Sequence, residues 1–395
     1  MKILNVFSHY LERGGEEVAV EEICQSLSEV TEVERCDFFS SSWTGPSAPA
    51  MWKQALGMLW NPQSLKEIRE HHRRFRPDAW LVHNVFPVGS AAIYREAASI
   101  GIPIVQYVHN FRPFSVNGYL WAANRLAVGG LSRDYWTEIR HGAWQNSRLR
   151  TAWLAFTLSI MHALGWWNSV KVWIAVSDFV RQKFIAAGIP AEKIFSLHYF
   201  WKPEPRQPIS EGAHYLFLGR LIEAKGILIL LDAWEILERE CGSAAPKLLI
   251  GGDGPLRSLV EARVERMRCV RFAGHLGGDD KRDALARCRA MIVPSLWWEA
   301  LGLVVYEAYE FSRPVLAASS GGLTEVVIPG ETGLLHEAGN AAEIAHQVRQ
   351  MEANVTDRHT LGQQGRKWLE QNANEAEWRE KFFKIASYAL DATPR

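Results

Sequence analysis

The chain reads as an α/β protein built from two βα domains, each with a parallel sheet, and three features of the sequence predict this. Strand-like and helix-like segments alternate at crossover spacing in both halves. A proline-rich break, Trp201-Lys-Pro-Glu-Pro-Arg-Gln-Pro-Ile-Ser-Glu-Gly212, separates the two series and reads as a linker. Glycine-bearing loops follow the first strand of each half. At 395 residues each half is large enough to bury its own core.

In the first half, Ile3 to Phe7, Val33 to Phe39, Trp80 to His83 and Ile104 to Val108 read as strands. Glu16 to Ser28, Leu65 to Arg74 and Ala91 to Ser99 read as the helices between them. The rhythm stops at Phe111 and resumes with a strand at Val172 and a helix from Asp178 to Ala187, which Gly188 ends. In the second half, strands are expected at Tyr215 to Leu218, Leu248 to Ile250, Val270 to Ala273, Ala290 to Pro294 and Val315 to Ala318. Helices are expected at Leu228 to Arg239, Leu256 to Arg266, Lys281 to Cys288 and Leu303 to Phe311. The expected domains are 1–205 and 206–375, with a C-terminal helix, 376–395, packing back towards the first domain.

Composition excludes several function classes. Hydrophobic residues are 48% and charged residues 22%, a globular balance. The formal net charge is zero, which argues against a dedicated nucleic-acid binder. Five scattered cysteines offer no Cys-x-x-Cys metal spacing and suit a reducing compartment. The N-terminus lacks the pattern of a signal peptide, so a cytoplasmic location is expected.

The interruption from 111 to 171 is aromatic and basic. It holds seven Lys or Arg against Asp134 and Glu138, and many of the chain's 17 tryptophans lie in and around it. Thr151 to Val170 is uncharged and about 20 residues long, enough to span a bilayer. Its Thr, Ser, His and Asn residues dilute it, and a strand follows at once, so a packed helix is the plainer reading. A surface resting on anionic lipid at the inner face of the membrane is the alternative that the basic-plus-tryptophan pattern keeps open.

Motifs that carry chemistry sit at strand ends, where open α/β sheets bind ligands. Gly219-Arg-Leu-Ile-Glu-Ala-Lys-Gly226 puts Arg220 and Lys225 after a strand and before a helix. Alone it would read as a solvated loop with two surface charges. Glu299 and Glu307, in Trp298-Glu-Ala-Leu-Gly-Leu-Val-Val-Tyr-Glu307, span a strand-to-helix junction around Gly302. Carboxylates there either repel an anionic ligand or accept hydrogen bonds from hydroxyls, which points towards sugars. Glu12-Arg-Gly-Gly-Glu16 lets a phosphate or sugar approach the backbone, but it is not the dinucleotide fingerprint. Gly251-Gly-Asp-Gly-Pro255 explains itself as a turn and helix start. His83-Asn84 and His109-Asn110 end two strands. His83 stays open between a capped loop residue and a cleft-facing one.

Taken in order, these segments resemble the retaining glycosyltransferases of the GT-B fold, the large family 4 (glycosyl transferases group 1). The resemblance covers nearly the whole chain and is strongest from Tyr215 to Leu335. Gly219-Arg-Leu with Lys225-Gly226, Gly252-Asp-Gly-Pro, Val293-Pro-Ser, the Glu299/Glu307 pair, Arg313-Pro-Val, Gly321-Gly with Glu325, and Gly330-Glu-Thr-Gly follow in the family's order. The resemblance implies two Rossmann-like domains facing each other across a cleft. It implies Arg220 and Lys225 on the donor diphosphate, with Gly15 meeting it through its backbone from the opposite domain. Glu307 would hold ribose hydroxyls, and Glu299 hydroxyls of the transferred sugar. Gly302 and Leu303 would offer backbone N–H groups, and His109 would stand beside sugar and acceptor. Glu299 and His109 are thus the expected catalytic residues. The implied donor is a nucleotide-diphosphate sugar, first UDP- or GDP-linked, with no metal and no further cofactor. The implied acceptor is a saccharide or lipid-linked saccharide. Glu299-Ala-Leu-Gly302 departs from the family's usual Glu-Gly-Phe-Gly, which puts the donor sugar in question. A sugar-nucleotide 2-epimerase and a non-catalytic sugar-nucleotide-binding subunit are the competing expectations.

Overall fold

A computed structural model of the chain describes residues 1–11, 14–205 and 211–391. Glu12 and Arg13 of the first glycine motif, 206–210 of the linker and 392–395 of the expected C-terminal helix lie outside the described residues. Two compact units form, one from Met1–Tyr199 with the segment from Glu375 onward, the other from Phe200–Asn374.

Unit 1 begins β1 (Ile3–His9), α1 (Gly15–Ser28), β2 (Val33–Phe39), α2 (Met51–Leu59), α3 (Pro62–Phe75), β3 (Ala79–Val82), α4 (Ala92–Ile100) and β4 (Ile104–Val108). A small antiparallel hairpin follows, β5 (Trp121–Ala122) and β6 (Arg125–Leu126), then α5 (Trp136–Arg140) and α6 (Arg148–Ala163). β7 (Val170–Ala175), α7 (Asp178–Ala186) and β8 (Ile194–Ser196) complete the series. The sheet is all parallel in the order β2-β1-β3-β4-β7-β8. β3 and β4 are buried along their whole length, as strands covered on both faces must be. Helix starts are marked chemically: Asn61 Oδ1 accepts the Gln63 N–H ahead of Pro62, and Ser177 Oγ accepts the Val180 N–H. The last helix, α15 (Glu375–Asp391), belongs to this unit. Its Arg379 pairs with Glu29 and donates to Ser26, and Tyr388 stacks on Phe195.

Unit 2 runs β9 (His214–Leu218), α8 (Ile227–Cys241), β10 (Leu248–Gly251), α9 (Arg257–Val264), β11 (Val270–Phe272), α10 (Gly278–Ala286) and β12 (Cys288–Val293). It continues with α11 (Leu303–Glu310), β13 (Val315–Ala318), α12 (Leu323–Val326), β14 (Gly333–His336), α13 (Ala341–Ala353) and α14 (Val355–Asn372). This sheet is also all parallel, β11-β10-β9-β12-β13-β14. Its core packs Trp234 and Leu230 of α8 and Ile344 and Val348 of α13 on Tyr215, Ile250 and Ile292 of the sheet.

The two sheets place chemistry by the same rule. Strand order reverses between β1 and β3 in unit 1, and between β9 and β12 in unit 2. A crevice opens beyond the carboxyl ends of strands at such a switch point. The loops after β1, β3, β9 and β12 are those that carry the glycine, histidine, basic and acidic motifs.

Candidate active site

In unit 2 the loop after β9 is held by backbone bonds: Gly219 N–H donates to Gly251 O, and Leu221 N–H to Asp253 O. It closes at Gly226, whose φ of 70° and packing require glycine, since a Cβ would land on the Pro294 carbonyl oxygen. That contact sets Lys225 against the loop after β12, where Leu296 N–H donates to Ala224 O at 2.8 Å. The ring of buried Trp297 then lies beneath two cations. Lys225 Nζ stands 5.2 Å and the Arg220 guanidinium 5.5 Å from its centre.

Glu299 is buried beside them. Its Oε1 accepts from Lys225 Nζ at 2.6 Å, Ser295 Oγ at 2.6 Å and Trp297 Nε1 at 2.8 Å. Oε2 carries none of these three bonds. Burial pushes this carboxyl up, but the Lys225 charge and the three hydrogen bonds carry it below the ordinary carboxylate value. Glu299 is therefore ionised at neutral pH. Its backbone is pinned by Gly322 N–H at 2.8 Å and by a bridge to Gly321.

Three residues on, Gly302 takes φ 99° and opens α11 with no side chain capping the helix start. The first N–H groups of such a helix are available to an anion. Glu307 lies one turn beyond Leu303, about 6 Å along the axis. It pairs with Lys281 of α10 at 2.7 Å and takes no part in the Glu299 cluster.

The structure thus brings Arg220, Lys225 and Glu299 together on one tryptophan, and sets Glu307 on a separate ion pair. Trp297, Ser295 as a Glu299 partner, and Lys281 escaped the sequence reading. Trp297 had a usable signal, a bulky indole two residues before a junction carboxylate.

In unit 1, Gly14 and Gly15 open α1, again without a capping side chain. His109 and His83 form a buried chain of hydrogen bonds. Asn5 Oδ1 lies 2.9 Å from His83 Nε2, His83 Nδ1 lies 2.8 Å from His109 Nε2, and Tyr199 Oη lies 2.5 Å from His109 Nδ1. A carbonyl oxygen only accepts, so His83 donates to Asn5, His109 donates to His83, and Tyr199 donates to His109. Burial, then the neighbouring His109 and the Arg35 charge, hold His83 well below the usual histidine value. Burial takes His109 down to about 3. Both rings are neutral across physiological pH, and both His109 nitrogens are engaged by protein.

Beside them lies a group with no role assigned from sequence. Glu16 Oε2 accepts from Tyr10 Oη at 2.9 Å and Asn110 Nδ2 at 2.7 Å, in a cavity lined also by His83, Asn84, His109 and Arg112. Burial raises its carboxyl to about 7, against the lowering effect of Tyr10, Arg112 and Asn110. A group so poised can take or release a proton near neutrality. It also taxes stability. Between the unfolded value near 4.3 and the folded value, the native state holds the extra proton, so stability falls as pH rises through that window. Glu16→Gln is expected to raise stability on the order of 2 kcal/mol at pH 8, a gain that fades towards pH 4. Thermal melts of parent and variant at the two pH values measure it.

Among the described residues, Cys36, Glu67 and His71 have donor atoms within 4.8 Å of one another. Spacing cannot reveal such a group, because β2 and α3 assemble it. Burial and the charges of Glu67, Asp37 and Glu34 drive the Cys36 thiol far up. His71 is already paired with Glu34. The donors suit a protonated thiol in an acidic setting better than a resident metal.

Two family models match the chain in tandem. "Glycosyltransferase Family 4" matches residues 8–198, and "Glycosyl transferases group 1" matches 202–368. The sulfoquinovosyl transferase of Arabidopsis thaliana is 25% identical over 398 residues, 98% of this chain and 69% of that protein. The phosphatidyl-myo-inositol mannosyltransferase of Mycobacterium leprae is 34% identical over 206 residues, 48% of this chain and 53% of that protein. The chain spans about half, or less, of the length of several other curated relatives it matches. In fold, the crystal structure of Anabaena HepE with UDP and glucose matches at a TM-score of 0.70 and 17% identity, covering 98% of this chain and 99% of the other. Two parallel α/β units, the ordered motifs and the two tandem matches have one reading: this chain belongs to the family 4 glycosyltransferases of the GT-B fold.

Proposed function

We propose that the protein transfers a sugar, with retention of anomeric configuration, from a nucleotide-diphosphate sugar to a saccharide or lipid-linked saccharide in polysaccharide or glycoconjugate synthesis. The observation that carries this reading is the cluster of Arg220, Lys225 and Glu299 on Trp297, at the uncapped start of α11. Breaking the sugar–phosphate bond leaves a diphosphate with added negative charge and an oxocarbenium-like sugar. Arg220, Lys225 and the Gly302 and Leu303 N–H groups stabilise the departing charge, so the step is assigned no metal ion. Glu299 Oε2 holds a hydroxyl of the sugar, and Glu307 takes the ribose hydroxyls. Retention follows from attack on the face the phosphate leaves, the phosphate taking the acceptor's proton. In unit 1, Gly15 offers backbone N–H to an anion, and neutral His109 forms a fixed wall on the acceptor side.

UDP and glucose in the Anabaena structure support a nucleotide-sugar donor, with UDP- or GDP-sugar the first to try. The name of the Mycobacterium leprae relative supports a lipid-borne acceptor. A thermal-shift screen across UDP-, GDP- and ADP-sugars is expected to single out one base, since a ligand at a hundred times its Kd adds about 2.7 kcal/mol to stability. Mass spectrometry of the products, with NMR of the new linkage, then tests transfer and retention. An epimerised sugar nucleotide, or donor binding with no turnover on any acceptor, overturns the proposal.

A further inference from the structure

The apolar surface least explained by folding lies on α2 and α6 of unit 1. In α2, Trp52 and Leu56 lie one turn apart, and Trp60 follows the last helical residue; all three face solvent, at 63%, 52% and 39% exposure. The helix's opposite side is the buried one, where Gly57 and Met58 pack inward. α6 lies beside it: Trp153 Nε1 donates to the Ala55 carbonyl of α2 at 2.6 Å. The outward face of α6 adds Leu149 and Phe156, at 85% and 51% exposure and two turns apart. A stripe of this kind on one helix would be ordinary. Two adjacent helices presenting such stripes on the same flank form a patch that a folded protein in water gains nothing from.

Its charges have one sign. No aspartate or glutamate occurs in residues 38–66 or in residues 139–177, the stretches that carry both helices. Lys53 stands over the Trp52 ring, Arg95 of α4 over the Trp60 ring, and Arg150 reaches Met51. The acid next to Arg95, Glu96, is buried under Arg69. Tryptophans and leucines edged by arginine and lysine, with no carboxylate in either helix, match a surface of apolar chains beneath anionic headgroups. Neither helix can span a bilayer: nine and sixteen residues are about 14 and 24 Å long, against about 30 Å of hydrocarbon. No helix among the described residues is long and apolar enough to cross one.

We infer that the paired faces of α2 and α6 form a docking surface for an anionic lipid bilayer, on which Trp52, Leu56 and Trp60 enter the headgroup boundary. The inference rests on the proposed lipid-borne acceptor and gives it a place: unit 1 meets the acceptor while resting on the membrane that carries it. The sequence keeps a lipid-facing surface open only as an alternative for 111–171; Trp52, Leu56 and Trp60 lie outside that segment.

The test is co-sedimentation of the full chain with vesicles of phosphatidylcholine alone or with about a third phosphatidylglycerol. Binding is expected to the anionic vesicles and to weaken with salt, each cation contributing about fivefold. Trp52→Ser with Leu56→Ser and Trp60→Ser is expected to cut partitioning at least about tenfold. The melting temperature and transfer to a water-soluble acceptor fragment should hold. Equal binding to both vesicles, or an unchanged variant, overturns the inference. So does concentration-dependent dimerisation that the triple substitution abolishes, which would make the patch a contact between copies. Vesicle binding without transfer on any acceptor would instead leave the docking surface standing and remove the proposed function.

Discussion

Glu299→Ala is expected to lower kcat by about 10²–10³, the loss typical of one preorganised transition-state contact. Melting temperature should fall with it. The substitution leaves Lys225 half-sequestered without its counter-charge and removes the oxygen that Ser295 and Trp297 share. Breaking a buried pair from one side costs about 3–5 kcal/mol. Glu299→Gln separates the two effects, because the amide oxygen still accepts from Ser295 and Trp297 while the charge is lost. A glutamine variant that melts near the parent yet turns over slowly would place the carboxylate's value in the reaction. Glu307→Ala supplies the contrast. Its partner Lys281 is partly exposed, so the main expectation is a raised donor KM with kcat nearly kept. Equal changes in both parameters for both variants would undo the division of roles.

Why the sequence shows some of this site and hides the rest is physical. β3 is a continuous apolar run, and β4 and β12 are apolar but for Gln106 and Arg289, because such strands are covered on both faces; runs of this kind are visible in a single sequence. Gly226 and Gly302 are visible for the same local reason: each has φ > 0 at a turn between strand and helix. What stays hidden is assembled from distant segments. The Lys225–Glu299 pair joins loops 74 residues apart, and Tyr199 reaches His109 across 90. The family resemblance assigns Lys225 to phosphate and Glu299 to sugar as separate parts, whereas the fold makes one ion pair of them. α2 was missed because its apolar stripe lies in a tryptophan-rich stretch with neither capping residue nor charged face to mark it.

Arg220→Ala is expected to cost about 10²–10³ in kcat with a nucleotide sugar, because in the proposed reaction Arg220 meets charge that grows only as the diphosphate leaves. Arg220→Lys should recover part of this and no more. A lysine keeps the charge but loses the planar fork that grips two phosphate oxygens and stacks on an indole. A glycosyl fluoride donor discriminates between roles. Its leaving group carries one charge rather than a diphosphate's, so Arg220→Ala should hurt it far less; an equal loss would mean that Arg220 acts through folding. Lys225→Ala differs in kind, since it also releases Glu299. Burial then acts on that carboxyl without the cation that opposes it, and its protonation moves up in pH. The variant's kcat should therefore rise with pH across the acidic to neutral range, where the parent is flat. A flat profile in Lys225→Ala would show that ionised Glu299 is not what the reaction needs.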